Sequence, residues 1–330
     1  MSIRSCGDAD PLNRAAAARV PLLMISRTYV RDAAPVAAYV ILWAGVLILL
    51  KRFCGFQPAE AVAGLLIFGV AFSALAWWTT RRSTPLPDPV RSPVKESVLL
   101  IAYLVFAAIV VAYGFGVIGR IGTEPAHRLV LVAVKLALFV FIPAVLLGRM
   151  GGYGLSELAP ASFRGKALLP ALWVGLAALG LQAFLGRGLR DVVNAHIAPA
   201  VLAFAVPLCF VFLAVEAGVV EEFFFRALLQ ERLTALLRRP WAALVLSAVL
   251  FGLMHAPGLY LRPGATMENV GAHPSALLAV GYSIVVTSVA GLCLGVLWLR
   301  TRNFAAVVLA HAAVDLLPGI VPLVREFHLN

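Results

Sequence analysis

The sequence predicts an all-α polytopic membrane protein with about nine transmembrane helices, eight being the alternative count. Three observations carry this. Of 330 residues, 62% are hydrophobic and 13% charged, whereas soluble domains average roughly 45–50% and about 25%; so few charges cannot cover a water-exposed surface. Apolar runs of about 20 residues, the length that crosses a bilayer, recur along the chain. Finally, the Lys and Arg residues lie mostly between those runs.

Residues 1–32 form a basic segment in which Arg4, Arg14, Arg19, Arg27 and Arg31 surround only the short apolar patch Val20 to Ile25. That patch is too short for a cleavable signal core, so the first true run, near 33–51, is expected to serve as an uncleaved anchor. The second span is read near 59–79, and the Pro-rich stretch Ser83 to Pro93 after it is a loop. Spans near 97–119, 129–148 and 167–185 follow, each bounded by charges, Pro or Gly. The sixth, near 198–220, is expected to continue as helix through Arg232 or beyond and to leave the membrane over Gln230 to Arg239. After the turn Arg238-Arg239-Pro240 come spans near 241–259, 276–299 and 304–322. No repeat of 20–50 residues is evident. The chain therefore divides into the basic segment 1–32, N-terminal transmembrane helices over 33–196 and a C-terminal transmembrane region over 197–325, which holds the polar motifs that make it the candidate catalytic region.

The formal charge of +11 comes from 27 Lys and Arg against 16 Asp and Glu. With nine spans, 18 of the basic residues fall on the N-terminal side of the membrane and 8 on the other, leaving Lys135 within a span. The positive-inside rule then puts the N-terminus in the cytoplasm and the C-terminus across the membrane. These cations set topology, so nucleic acid is not an expected partner; the lipid bilayer is. The four cysteines, Cys6, Cys54, Cys209 and Cys293, are far apart with no C-x-x-C pair, which argues against a disulfide framework or structural zinc. A composition rich in Ala, Leu, Val and Arg suggests a bacterium and a multi-pass protein of its inner membrane.

A charge near the bilayer centre costs about 2.5–3.5 kcal/mol even on a lenient scale, so such residues need a reason. Here they cluster late: Glu216, Glu221, Glu222, Arg226, His255, His311 and Asp315. Glu222 and Arg226 are four apart on a helix, in the order that favours an ion pair. Glu221 points elsewhere and is free to face a cavity as a general base; alternatively, both acids mark a helix end entering headgroups. His255 follows Phe251 by one turn, and the Arg238-Arg239-Pro240 turn lies 17 residues from Glu221 and 16 from His255. An antiparallel hairpin would bring the two to one depth. His311 and Asp315, four apart, share a face of the last span, about 12 Å beyond Asn303, while Glu221 lies about 14 Å from Gln230. All these groups can converge, or Asp315 and His311 can simply be a buried polar pair. Glu216 either lines the same cavity or pairs with Lys135. Gly291 and Gly295 form a small-residue face suited to helix packing. His127, His196, His273 and His328 are assigned to loops or tails.

The ordered motifs E-E-x-x-x-R (Glu221, Glu222, Arg226), F-x-x-x-H (Phe251, His255) and H-x-x-x-D (His311, Asp315) resemble the CPBP family, the CAAX proteases and bacteriocin-processing enzymes also called ABI proteins. The resemblance covers about residues 200–320. It implies a glutamic intramembrane endopeptidase in which Glu221 and His255 activate water and His311, with Asp315, stabilises the oxyanion; Glu222, Arg226 and Phe251 give structural support. Where the family carries Asn, the amide donates directly. Asp315 would instead be protonated or would hold His311 in its donating tautomer. No cofactor is implied. Substrates are membrane-associated proteins or peptides, with hydrophobic C-terminal sorting tails, as in the myxosortase branch, or bacteriocin-like leaders as the expected classes. No serine, aspartyl or H-E-x-x-H peptidase motif is present.

Two other readings stand beside this one. Two histidines and a carboxylate could hold catalytic zinc, with His255, His311 and one or more of Glu221, Glu222 and Asp315 as ligands. A transporter or membrane scaffold could use the same groups as a proton relay, although transporters place their sites in matched halves and here only one half is polar.

Overall fold

A computed structural model describes residues 22–83, 90–118, 123–186, 188–261 and 273–329. Most of the anticipated basic segment, with Cys6, lies outside these residues, as do positions 84–89 of the Pro-rich loop and Arg120, Arg187 and Arg262 of the charge count.

Among the described residues nine helices are long and apolar enough to cross a membrane. They are α1 (Ala33–Cys54), α2 (Pro58–Thr79), α3 (Pro93–Ile118), α4 (Pro125–Gly151), α5 (Gly165–Phe184), α6 (Pro199–Leu237), α7 (Pro240–Leu261), α8 (Ala276–Thr301) and α9 (Phe304–Glu326). The protein is thus an all-α, multi-pass membrane protein. Several helices begin or end a turn outside the apolar run that announced them. Hydropathy marks the part of a helix in hydrocarbon, whereas its ends are set by caps and turns. Pro93 opens α3 at a position where its missing N–H costs nothing, and Glu96 in the first turn accepts from the Ser92 N–H at 2.8 Å. A short helix, Gly188–Asn194, lies between α5 and α6 and was not anticipated. His127, assigned to a loop, sits instead in the first turns of the helix that forms α4, because Pro125 starts that helix two residues earlier.

The sixth span does continue as helix to Leu237, and Arg238 closes it in the left-handed conformation before Pro240 starts α7. This tight turn makes α6 and α7 antiparallel neighbours. Two π-helical stretches, Ala214–Val219 and Phe223–Gln230, flank the Glu221-Glu222 step; wide turns of this kind recur at functional sites. A further one, Ser283–Thr287, interrupts the helix of α8. There Trp43 of α1 donates its indole N–H to the Val285 carbonyl at 2.8 Å, and Ser247 of α7 likewise donates to the Phe225 carbonyl at 2.9 Å.

Close approach of α7 and α8 depends on missing side chains. A Cβ at Gly252 would meet the Ser283 carbonyl and Ser288, and one at Gly291 would lie 3.1 Å from Ala248 Cα. At Gly295 it would lie 3.0 Å from Leu244, beside the Gln230 side chain that donates to the Gly295 carbonyl. The packing role read from Gly291 and Gly295 is what the helices use.

Candidate active site

The site grows from the α6–α7 hairpin. Glu222 is fully buried and lies 3.2 Å from Arg226 Nε, one turn on, as the spacing required. The contact is one of charge without hydrogen-bond alignment. The guanidinium instead lies 4.6 Å over the ring of Phe251, which meets Phe225 edge-on at 5.3 Å. Phe251 thus carries the cation of α6 on its face and supports His255 one turn later, with ring centroids 5.0 Å apart.

His255 Nδ1 lies 2.9 Å from the Phe251 carbonyl oxygen. A carbonyl only accepts, so Nδ1 carries a proton and donates it there, which leaves Nε2 as the nitrogen turned toward the cavity. That Nε2 is 3.9 Å from Glu221 Oε1. The other Glu221 oxygen is 3.8 Å from His311 Nε2 on α9. One carboxylate therefore stands between two imidazoles that both turn their Nε2 edges toward it. The hairpin turn brings Glu221 and His255 level, and α9 brings His311 to the same depth.

His311 is held from two sides. Its Nδ1 lies 2.7 Å from Glu222 Oε1, and its Nε2 lies 3.3 Å from Asp315 Oδ2. Glu222, with Arg226 beside it, is placed to accept from Nδ1. Glu222 is thus bound at once to Arg226 and His311, a contact across 89 residues of chain that no local spacing announces. Asp315 occupies the edge of the ring that faces Glu221, not the far edge, where a tautomer-fixing partner would sit.

These groups line a cavity of about 280 Å³. Glu221, Phe251, His255, His311 and Asp315 share its wall with Phe68 of α2, with Thr287, Ala290, Cys293 and Leu294 of α8, and with Val314 of α9. The apolar lining carried no signal in the sequence, because small and apolar residues are what every span contains. Glu216 is elsewhere: it pairs with Lys135 at 2.7 Å and Arg128 at 3.0 Å, and Arg128 reaches Glu326 at 3.5 Å. Of the two readings open for Glu216, the ion pair holds. Cys54, Cys209 and Cys293 are free thiols, and among the described residues no three His, Cys, Asp or Glu side chains are grouped to hold a metal ion. His196, His273 and His328 are exposed, outside the long helices.

The described residues thus form a multi-pass helical membrane protein in which one cavity gathers the carboxylates of Glu221 and Asp315 and the imidazoles of His255 and His311. Residues 201–317, about a third of the chain, match the family model described as Rce1-like: type II CAAX prenyl endopeptidase Rce1-like. This region therefore carries a likeness to the CPBP family, whose members are membrane proteases. No curated protein and no solved structure matches the chain.

Proposed function

We propose that the chain is a glutamic intramembrane endopeptidase that cleaves hydrophobic C-terminal tails or leaders of membrane-associated proteins in a bacterial inner membrane. The observation that carries this reading is the Glu221 carboxylate, whose two oxygens lie 3.9 Å from His255 Nε2 and 3.8 Å from His311 Nε2 on the cavity wall. Such separations are too long for direct hydrogen bonds and suit groups that work on a common third partner.

In this mechanism a water held by Glu221 and His255 attacks the scissile carbonyl carbon, and its proton passes to that pair. Nδ1–H of His255 stays on the Phe251 carbonyl, so Nε2 is the basic nitrogen. The oxyanion takes a hydrogen bond from Nε2–H of His311, whose doubly protonated ring is flanked by Glu222 and Asp315. The C–N bond then breaks, and the proton returns from the Glu221–His255 pair to the leaving amine. Glu222, with Arg226 behind it, is the orienting group for His311, and Asp315 supports the charge on the ring. No cofactor takes part.

The test is cleavage of a tail-peptide library by purified full-length protein. Glu221→Gln and His255→Ala are expected to lower the rate by about 10²–10⁴-fold, the worth of a positioned acid–base group, and His311→Ala by about 10²–10³-fold, the worth of an oxyanion donor. Asp315→Asn, which restores the residue common in the family, should keep activity. Equal cleavage by wild type and Glu221→Gln would overturn the mechanism. Loss of activity on exhaustive chelation would replace it with the zinc reading, and function retained in Glu221→Gln without any peptide cleavage would favour the transporter.

A further inference from the structure

A second concavity lies away from the catalytic cavity, where the C-terminal end of α2 meets the first turns of α5. Its volume is about 230 Å³, and it is lined by Trp78, Thr79, Arg81, Arg82, Leu169 and Trp173. By the positive-inside count this end of α2 and α5 faces the cytoplasm.

We propose that this pocket binds the headgroup of an anionic phospholipid of that leaflet, with Arg81 and Arg82 on the phosphate and the acyl chain along α5.

Three features converge on that ligand. First, Arg81 and Arg82 are exposed, and among the described residues neither is engaged in an ion pair; Arg81 only covers the Trp78 ring at 5.4 Å. Guanidinium groups on adjacent residues suit a phosphate, which accepts two parallel N–H bonds. Nearby Arg300 is already committed, lying 4.4 Å over Trp77 and donating to the Thr80 carbonyl at 3.1 Å. That bond also offsets the negative end of the α2 dipole, which would otherwise repel an anion.

Second, Trp78 of α2 and Trp173 of α5 both line the pocket, and each residue is more than half exposed. Indoles with this exposure belong at the headgroup level of a bilayer, and Trp78 ends a 22-residue span there.

Third, the apolar wall continues past the pocket. Leu169, Leu172, Trp173 and Leu176 recur at helical spacing on α5 and are 45–53% exposed. A free phosphate would leave that stripe without a role, whereas a lipid tail covers it. Basic pockets between spans on the cytoplasmic side take anionic headgroups by this combination of charge and depth.

The experiment is native mass spectrometry of the full chain in detergent, titrated with phosphatidylglycerol, phosphatidylcholine or inorganic phosphate. Phosphatidylglycerol retention should be about 30-fold weaker in R81Q/R82Q, the effect of two interfacial charges, with phosphatidylcholine unaffected. R149Q/R239Q removes two exposed charges from the same side and should retain phosphatidylglycerol as wild type does. Trp173→Ala keeps both arginines and should weaken retention several-fold. Equal phosphatidylglycerol binding by wild type and R81Q/R82Q would overturn the proposal. So would an equal loss in R149Q/R239Q, unchanged binding in Trp173→Ala, or displacement of the lipid by inorganic phosphate at matched concentration.

Discussion

Over an 18-residue apolar stretch of each, spans α7, α8 and α9 have 50–61% of residues buried inside the protein, whereas α1 to α6 have 17–29%. All are apolar, so hydropathy does not separate them; what differs is what each apolar surface meets. In lipid there is little hydrophobic drive for helix to find helix, and close packing through small residues and polar contacts takes its place. The last three spans have both, in Gly252, Gly291 and Gly295 and in the groups that converge on His311. Outer spans such as α5 show large side chains to the lipid, Phe184 and Trp173 among them. Of the proposed reacting groups, His255 and His311 come from these packed spans and Glu221 from the stretch of α6 whose neighbours, Val220 and Glu222 to Leu233, are buried, while the early spans supply Phe68 to the cavity wall. A charge in the bilayer survives where protein, not lipid, surrounds it.

That contrast can be broken by mutation. The largest loss is expected for Arg226→Ala, which leaves the fully buried Glu222 with His311 alone and exposes the Phe251 face; removing one partner of a buried pair costs about 3–5 kcal/mol. Denaturant unfolding of the purified protein reads it, and stability within error of wild type would mean that the buried charge is not held by this pair. Gly252→Ala comes next, because the new Cβ meets the Ser283 carbonyl and sits 2.8 Å from Ser288 Cβ. Overpacking of that kind costs about 1–3 kcal/mol. Since His255 lies three residues on, peptide cleavage should fall with stability, and a variant as stable and active as wild type would show that α7 and α8 have room to part.

A smaller effect tests the polar link between the halves. Glu216→Gln and Lys135→Met, alone and together, form a cycle across α4 and α6, and the expected coupling is about 0.5–3 kcal/mol. Strict additivity would mean that the 2.7 Å pair contributes nothing beyond its separate members. Least of all, Phe184→Ala should shift the unfolding midpoint by no more than about 0.5 kcal/mol, since 84% of that residue is exposed. A large loss there would show that α5 packs against another protein surface.

Much of the site was legible because its logic is local. The Glu222–Arg226 pair follows from a spacing of four on one helix. The level placement of Glu221 and His255 follows from a turn nearly midway between them, and the pairing of His311 with Asp315 again follows from a spacing of four. The rest depends on how helices rotate about their own axes. Which carboxylate meets His311 Nδ1, whether Glu216 turns to the cavity or to Lys135, and which α2 side chain enters the wall are each settled by a few degrees of rotation and by the π-helical turns around Glu221. His127 was misplaced for a simpler reason: Pro125 starts a helix before the apolar run begins.

Composition and periodicity by themselves determined the class, the number of spans and the short set of polar residues worth examining. A charge-poor chain has only one solvent that suits it, and in that solvent every charge is conspicuous. Tertiary structure decided what those residues do to one another. It placed Glu222 behind His311 and Asp315 at its reactive edge, and it set the Glu221 carboxylate between two imidazole Nε2 atoms. The contacts of Glu221 and Glu222 with the two imidazoles join residues 34 to 90 positions apart, formed where glycine faces let helices approach, and no local pattern along the chain encodes an angle of approach.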